Sequence, residues 1–94
     1  MNMPDTLVAT HHALHTQWDG GVFTIRLHAP ASGNALTHDM LISLDDLLQH
    51  LAWREDVRVV VLRGTDTQFS SGLDVEDFTH LVNNDLPRAR TALE

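Results

Sequence analysis

The sequence contains no cysteine and no lysine, and each absence narrows the possible classes of function. Without cysteine there is no disulfide framework, no thiol nucleophile and no zinc–thiolate site. Six arginines against thirteen acidic residues give a formal net charge of −7. Nucleic-acid-binding proteins normally present a basic face, so this balance argues against that class of partner. A polyanionic ligand would need local contacts, from a few arginines or from backbone N–H groups.

Long apolar runs are also missing. No stretch approaches the ~18–20 apolar residues that span a bilayer, and residues 1–10 lack the basic and apolar regions of a secretory signal. We therefore expect a cytoplasmic protein without a membrane partner. Residues 1–10 are interpreted as a loose leader and residues 11–94 as one small domain, since a chain of 94 residues can hold one core.

Turn residues and period-two alternation predict a β-hairpin near the amino terminus. Asp19-Gly20-Gly21 separates two runs of residues, His12–Trp18 and Val22–Leu27. Glycines at such a point supply the positive φ angles of tight hairpin turns. The second run alternates apolar and polar residues, which is the period of a half-buried strand.

A helix is predicted over residues 38–53, after a loop that is rich in Pro, Gly, Ser and Asn. Thr37 is the expected N-cap, and Asp39 in the first turn favours the helix dipole. Apolar residues then recur at spacings of three and four, which predicts an amphipathic helix with one stripe in the core. That stripe consists of Met40, Leu41, Leu44, Leu47, Leu48 and Leu51.

The segment Val57–Leu62 is predicted to be a buried strand. A short run that is apolar on both faces suits a central parallel strand covered on both sides. A polar loop and a short segment, Phe69–Phe78, follow this strand. A second helix is then expected to begin near Asp85 or Pro87, because proline is tolerated in a first helical turn. The order β-β-α-β-loop-α gives an α/β fold class.

The residues after this strand can form an anion-stabilising site. Open α/β sheets present ligand sites at the carboxyl ends of their strands, and here that end leads into Ser70-Ser71-Gly72-Leu73-Asp74. Gly72 permits close backbone approach or a positive φ angle. A helical turn beginning near Leu73 would leave N–H groups unpaired toward a negative oxygen, which is what an oxyanion hole requires.

Taken in order, these elements resemble the opening of crotonase-superfamily proteins, the enoyl-CoA hydratase/isomerase family. The resemblance runs from about Gly20 to Phe78. Besides the hairpin and the helix, it is carried by Asn34-Ala35-Leu36, by residues 56–64 and by residues 69–75. It implies the amino-terminal portion of a crotonase-like ββα spiral and an acyl-CoA thioester substrate. Coenzyme A is then part of the substrate, and no separate cofactor is expected.

The same resemblance implies the site residues. The backbone N–H of Leu73 is expected to be one of two oxyanion-hole donors for a thioester enolate. Contacts to the acyl-CoA are expected from Ala29, Ala31, Leu36, Ser71, Gly72, Leu73 and Asp74. The second donor and the acid–base carboxylates belong to the family's following segment, so this chain alone is expected to be inactive. Members commonly carry a basic residue where Ala29 stands, which weakens the expected contact with the coenzyme A phosphates.

Each candidate site residue after the predicted strand also has an alternative interpretation as a purely structural residue. Leu73 taken in isolation is a core leucine, and Ser71 is a turn residue that bonds to its own backbone. A carboxylate cluster suited to acid–base chemistry is formed by Asp74, Glu76 and Asp77. Acidic residues in a first helical turn are also explained by the helix dipole, and we favour that explanation.

Other charged and metal-binding residue types are given structural interpretations. Arg58 and Arg63 are interpreted as surface charges at the ends of the strand, with phosphate contact as the alternative. His11 and His15 are four residues apart, as metal ligands on a helix are, but they lie in a predicted leader and strand. A metal would need further ligands and a second shell, so no metal site is predicted.

Two functional hypotheses follow. In the first, the chain is the acyl-CoA-binding segment of an enoyl-CoA hydratase or isomerase and stabilises a thioester enolate. In the second, it is a non-catalytic, truncated crotonase-like subunit that packs with or completes another chain. Both hypotheses predict association, either as a homo-oligomer or with a partner chain that supplies the missing segment.

Overall fold

The computed structural model describes residues 11–84, so the predicted leader and the helix expected near Asp85 or Pro87 lie outside the described residues. Within this range the elements in chain order are β1 (Leu14–Asp19), β2 (Val22–Leu27), α1 (His38–Ala52), β3 (Val59–Arg63) and α2 (Val75–Asn84). A short 3₁₀ turn spans Pro30–Ser32. The α/β class predicted from the sequence is confirmed.

Strands β1 and β2 form the predicted hairpin. They pair antiparallel, from Leu14 opposite Leu27 to Asp19 opposite Val22. The turn is made by Gly20 and Gly21, whose φ angles are 55° and 94°. Positive φ at both central residues matches the twist of the strands and is the reason that glycine suits this turn.

Helix α1 begins and ends close to the predicted limits. The Thr37 side chain accepts a hydrogen bond from the N–H of Met40 at 3.2 Å, as expected of an N-cap. Core contacts join the inner face of the hairpin to one face of the helix, and the buried set includes Phe23, Ile25, Leu27, Met40, Leu47 and Leu51. Leu48 was expected in this stripe but is 43% exposed, because it lies at the uncovered flank near Val59 and Val60.

Strand β3 pairs parallel to β2, with Val22 opposite Val59 and Arg26 opposite Arg63. The sheet order is β1-β2-β3, so β3 is an edge strand among residues 11–84. The prediction of a strand covered on both sides is wrong for this structure, since the apolar side chains of residues 59–62 are 38–51% exposed. Because β3 is apolar on both faces, it is suited to packing against other elements on both sides. Residues 11–84 do not provide those elements.

The turn between α1 and β3 is held by an exposed ion pair. Arg54 donates hydrogen bonds of 2.9 and 2.6 Å to the two carboxylate oxygens of Asp56. These hydrogen bonds hold the pKa of Asp56 below its usual range. Exposed pairs of this kind add little to stability, so the contact mainly fixes the shape of the turn.

Helix α2 begins within the stretch Phe69–Phe78, which was expected to be only a short segment, and it precedes the helix expected near Asp85 or Pro87. Its first turn is closed by the N–H of Asp77, which donates to Oδ1 of Asp74 at 2.9 Å. Asp74 thus has the role of an N-cap, and Glu76 and Asp77 lie in the first turn. These positions agree with the interpretation of Asp74, Glu76 and Asp77 as residues of a first helical turn.

Two loops meet at the carboxyl edge of the sheet, the first loop at residues 28–37 and the second loop at residues 64–74. An isolated parallel bridge joins Leu36 to Leu73. In it the N–H of Leu36 donates to the carbonyl of Gly72 at 2.8 Å, and the N–H of Asp74 donates to the carbonyl of Leu36 at 2.9 Å. The N–H of Ser71 also donates to the carbonyl of Gly33, at 3.0 Å.

Asn34 connects the two loops from within. Its side chain is fully buried and its φ angle is 58°, a left-handed conformation that asparagine tolerates better than most residues. Oδ1 accepts from the N–H of Ala29 at 2.7 Å, and Nδ2 donates to the carbonyls of Gln68 and Phe69 at 3.2 and 3.1 Å. The Asn34 carbonyl accepts from the hydroxyl of Ser70 at 2.8 Å. The sequence analysis included Asn34 in a motif but gave it no structural role.

Replacement of Asn34 by alanine should destabilise the fold strongly. The change strands the N–H of Ala29 and the carbonyl of Phe69, while the carbonyl of Gln68 keeps its hydrogen bonds from Thr65. Leaving a buried polar group unsatisfied costs roughly 1–3 kcal/mol, so we expect a loss of about 3 kcal/mol. Urea unfolding followed by circular dichroism measures it. Asn83→Ala is the control, because Asn83 is exposed on α2 and should change stability by less than about 0.5 kcal/mol. Equal stability of the two variants would contradict the assigned role of Asn34.

The exposed β3 edge should make the purified chain associate. Unpaired strand edges with apolar side chains template pairing with other chains, and a lysine on the edge opposes such pairing. Val60→Lys should therefore shift light scattering toward the monomer. Val82→Lys is a matched control, because Val60 and Val82 are both 39% exposed but Val82 lies on α2. A wild-type chain that is monomeric at tens of micromolar would refute the prediction.

Candidate functional site

The backbone of Leu73 is the centre of the candidate site. In a parallel bridge one residue uses its own N–H and C=O, while the residue opposite is bonded through its two neighbours. Here Leu36 uses its own groups, and they bond to Gly72 and Asp74. The N–H of Leu73 thus points away from Leu36, and it has no hydrogen-bond acceptor among residues 11–84.

The environment of Leu73 favours a main-chain role. Its side chain is 49% exposed, so the alternative of a core leucine is not what the structure shows. The residue lies two positions before α2, where the helix presents unpaired N–H groups and the positive end of its dipole. A free donor at this position is suited to a negatively charged oxygen.

Gly72 orients this donor. Its φ angle is 98°, a conformation that residues with a Cβ atom rarely adopt. A Cβ atom built at Gly72 would meet no atom within 4 Å, so the backbone angle and not space requires glycine. The N–H of Gly72 donates to the hydroxyl of Ser70 at 3.0 Å, and its carbonyl accepts from Leu36. Both peptide groups that flank Gly72 are consequently fixed relative to the first loop.

Two of the three clustered acidic side chains have structural partners. Asp74 caps α2, and Oδ2 of Asp77 accepts a hydrogen bond of 2.9 Å from the N–H of His38 in the first turn of α1. Asp77 therefore ties the amino-terminal ends of the two helices together. Glu76 is exposed. These contacts support the structural interpretation of the cluster given from the sequence.

Two cavities lie at the start of α2 and share Asp74 and Asp77, and Leu73 lines the smaller of them. One is a small cavity of about 30 Å³ whose lining includes Leu36, His38 and Leu73. It has room for a water molecule or two and not for an acyl chain. The other is an open groove of about 350 Å³ with a polar lining that includes Thr37 and His80. Neither cavity is enclosed by apolar residues on a scale that would hold an acyl chain.

All seven residues expected to contact an acyl-CoA lie on the two joined loops or directly before α2. Leu36, Leu73 and Asp74 surround the small cavity. Ser71 and Gly72 precede them, and the Ser71 hydroxyl donates to the carbonyl of Ser32 at 3.3 Å. Ala29 is half-buried beside Asn34, and Ala31 is exposed in the 3₁₀ turn.

Sequence reasoning missed three residues that shape this region, namely Asn34, Ser70 and Gly64. Gly64 is buried where β3 ends, and a Cβ atom there would overlap the backbone of Gln68 and Phe69. The signal available for Gly64 was its position directly after the strand, where glycine often marks close backbone approach. Asn34 follows Gly33, and such Gly–Asn pairs are typical of left-handed turn positions.

The described residues have the features of neither a metal centre nor a membrane span. The part of the chain from residue 11 to residue 84 holds no group of three or more His, Cys, Asp or Glu side chains placed to bind a metal ion. Over the same range there is no helix of the length and apolarity that a membrane span requires.

Comparison with known proteins identifies the family. The family model described as enoyl-CoA hydratase/isomerase matches residues 17–92. The zebrafish (Danio rerio) mitochondrial enoyl-CoA hydratase domain-containing protein 3 is 33% identical over 73 residues, which are 78% of this chain and 25% of the relative. The Arabidopsis thaliana peroxisomal Delta(3,5)-Delta(2,4)-dienoyl-CoA isomerase is 32% identical over 63 residues, 67% of this chain and 23% of the relative.

Solved structures agree with this assignment. The enoyl-CoA hydratase of Mycobacterium tuberculosis H37Rv superimposes with a TM-score of 0.68 at 31% identity, covering 71% of this chain and 30% of that protein. An enoyl-CoA hydratase of Shewanella pealeana shares the fold, with a TM-score of 0.79 at 22% identity over 95% of this chain and 34% of that protein. This chain spans about a quarter of its curated relatives and about a third of these structures. The matched family model and the shared fold show that the chain belongs to the enoyl-CoA hydratase/isomerase family, of which it represents the amino-terminal part.

Proposed function

We propose that this chain is the acyl-CoA-binding segment of an enoyl-CoA hydratase- or isomerase-type enzyme. In this proposal the N–H of Leu73 donates a hydrogen bond to the thioester oxygen as negative charge develops on it. The observation that carries the proposal is the N–H of Leu73, which has no acceptor among residues 11–84 and which the bridge to Leu36 and the conformation of Gly72 hold in a fixed direction.

A backbone donor of this kind acts by preorganisation. Removal of a proton next to the thioester carbonyl, or addition of water to the conjugated double bond, places negative charge on the carbonyl oxygen. A donor that is already fixed stabilises that charge without reorganising, and removing one such donor costs about 2.7–4 kcal/mol in known enzymes. The amino-terminal end of α2 adds a favourable dipole.

The remaining contacts of the proposed site come from the two joined loops. Ala29, Ala31 and Leu36 of the first loop, with Ser71, Gly72 and Asp74 of the second, are the proposed contacts to the acyl-CoA. Coenzyme A enters as part of the substrate, and the proposal needs no other cofactor. The second oxyanion donor and the groups that move protons are assigned to the part of the family fold that this chain does not span.

The exposed β3 strand favours a second candidate function, that of a non-catalytic subunit that packs with or completes another chain. Its four apolar side chains at residues 59–62 are 38–51% exposed, which suits a polypeptide partner better than solvent. A second copy of the chain in a homo-oligomer, or a partner chain, would pack against these side chains. A cytoplasmic location stays a prediction, since the curated relatives named above are mitochondrial and peroxisomal proteins.

Substitutions of Leu73 distinguish a main-chain role from a side-chain role. They are made in a polypeptide that joins this chain to the remaining family segment. Leu73→Ala keeps the N–H donor and should retain most of kcat. Leu73→Pro removes the donor and should lower kcat by at least the ~10²-fold that is typical of a lost oxyanion contact. Circular dichroism and binding of coenzyme A must be unchanged, because proline also disturbs the backbone. Equal activity of the two variants would exclude the main-chain role.

The 94-residue chain alone should show no turnover of crotonyl-CoA, whose hydration is followed by the loss of ultraviolet absorbance. A polypeptide that supplies the remaining family segment should restore activity when it is added. Association without any turnover would favour the non-catalytic subunit. Turnover by the chain alone would contradict the proposal, because the proton-transferring group would then have to be Asp74, Glu76 or Asp77.

A further inference from the structure

The face of the sheet opposite α1 carries an unusual concentration of positive charge for this chain. Phe23, Ile25 and Leu27 pack toward α1, so the alternation of β2 places Arg26 on the opposite face. The strand register sets Arg26 directly beside Arg63 of β3, on one side, and beside His15 of β1, on the other. The three side chains therefore form a row across the sheet.

Neither arginine in this row is compensated by a carboxylate within residues 11–84. The arginine ion pair in that part of the chain joins Arg54 to Asp56. Neighbouring strands are about 4.8 Å apart, and like charges directly opposite each other destabilise a sheet. Nε of Arg26 is also buried and has no hydrogen-bond partner among the described residues. The row thus has an uncompensated positive charge and, at Nε of Arg26, a hydrogen-bond donor without an acceptor among residues 11–84.

A groove of about 160 Å³ lies over the row. Arg26, Arg63 and His15 line it together with Gln17 and two threonines, Thr16 and Thr24. The lining contains donors and hydroxyl groups but no acidic side chain. The ring of His28 does not line the groove but lies next to that of His15, with the two centroids 4.7 Å apart.

The nearest acidic position in the hairpin is at the far end of the same face. Asp19 pairs with Val22, four residues along β2 from Arg26, which corresponds to roughly 13 Å at the usual rise of a strand. Beyond a Debye length of about 8–10 Å, exposed charges are largely screened. The lining of the groove is therefore locally cationic in a chain whose net charge is −7, because it holds two arginines and no carboxylate.

We propose that this groove binds a phosphate-type oxyanion. Guanidinium groups match phosphate oxygens with paired, charge-assisted hydrogen bonds, and a tetrahedral dianion can accept from two arginines at once. A carboxylate has one negative charge and two acceptor oxygens, so it balances only one of the two guanidinium charges. The groove shares no lining residue with the two cavities at the start of α2, so the proposal does not rest on the proposed function.

Equilibrium dialysis of the 94-residue chain against radiolabelled inorganic phosphate, at constant ionic strength, tests the proposal. The method requires no assumption about the oligomeric state. Arg26→Gln and Arg63→Gln should each weaken binding about tenfold or more, as expected for the loss of a charged hydrogen-bonding partner. Arg58→Gln is the control with the same change of charge, because Arg58 lies outside the groove, and it should bind within about twofold of wild type.

Thermal unfolding provides a second readout that also reports folding. Phosphate should raise the Tm of the wild type and of Arg58→Gln, and should raise the Tm of the two groove variants much less, since a ligand of the native state stabilises it. Glycerol phosphate, assayed as a competitor, identifies the source of the anion. If glycerol phosphate binds more tightly than inorganic phosphate, the ligand is an organic phosphomonoester. If it binds equally or more weakly, the ligand is the free anion.

Three results would overturn the proposal. The first is the absence of saturable phosphate binding by the wild type. The second is a loss of phosphate affinity in Arg58→Gln as large as that in Arg26→Gln and Arg63→Gln, which would show a general effect of net charge. The third is displacement of phosphate by acetate at equal concentration, which would show that the groove does not prefer a tetrahedral dianion.

Discussion

The buried amide of Asn34 is the contact on which the geometry of the candidate site depends. One side chain bonds to its own loop, at the N–H of Ala29, and to the second loop, at the carbonyls of Gln68 and Phe69. These loops are more than thirty residues apart in sequence, and no helix or strand includes either contact. The amide is the partner of the Ala29 N–H and the Phe69 carbonyl, and a buried backbone group without a partner is costly in a protein interior. The position of Leu73 relative to Leu36 follows from this junction.

The rest of the site is built outward from that junction through the main chain. The bridge to Leu36 uses the groups of Gly72 and Asp74, and this leaves the N–H of Leu73 directed elsewhere. Asp77 then joins the start of α2 to the start of α1 through the N–H of His38. A site made of backbone donors needs no basic side chain, which explains how a chain with a net charge of −7 can offer a position for a negative oxygen.

Local patterns predicted the elements that local interactions define. Each of these elements depends on contacts within a few residues: the Gly-Gly turn, the alternation of β2, and the Thr37 cap with its apolar helix stripe. The structure contains all of them, with Leu48 as the exposed member of the stripe. The burial of β3 was predicted wrongly, because apolar residues on both faces show what a strand can bury and not which elements are present to cover it. The role of Asn34 was also missed, since its partners lie 34 and 35 residues away. No periodicity carries that information.

Strand β3 connects the candidate oxyanion donor with the cationic groove. Its last residue, Arg63, lines the groove, and the next residue, Gly64, opens the second loop that carries Leu73. Within residues 11–84 β3 has one neighbouring strand, and a strand bonded on one side opens more easily than one bonded on both. A strand that paired with the free edge would therefore restrain the second loop and Arg63 together. Pairing at this edge is therefore expected to affect the candidate donor and the proposed groove together, although the groove and the small cavity at Leu73 share no lining residue.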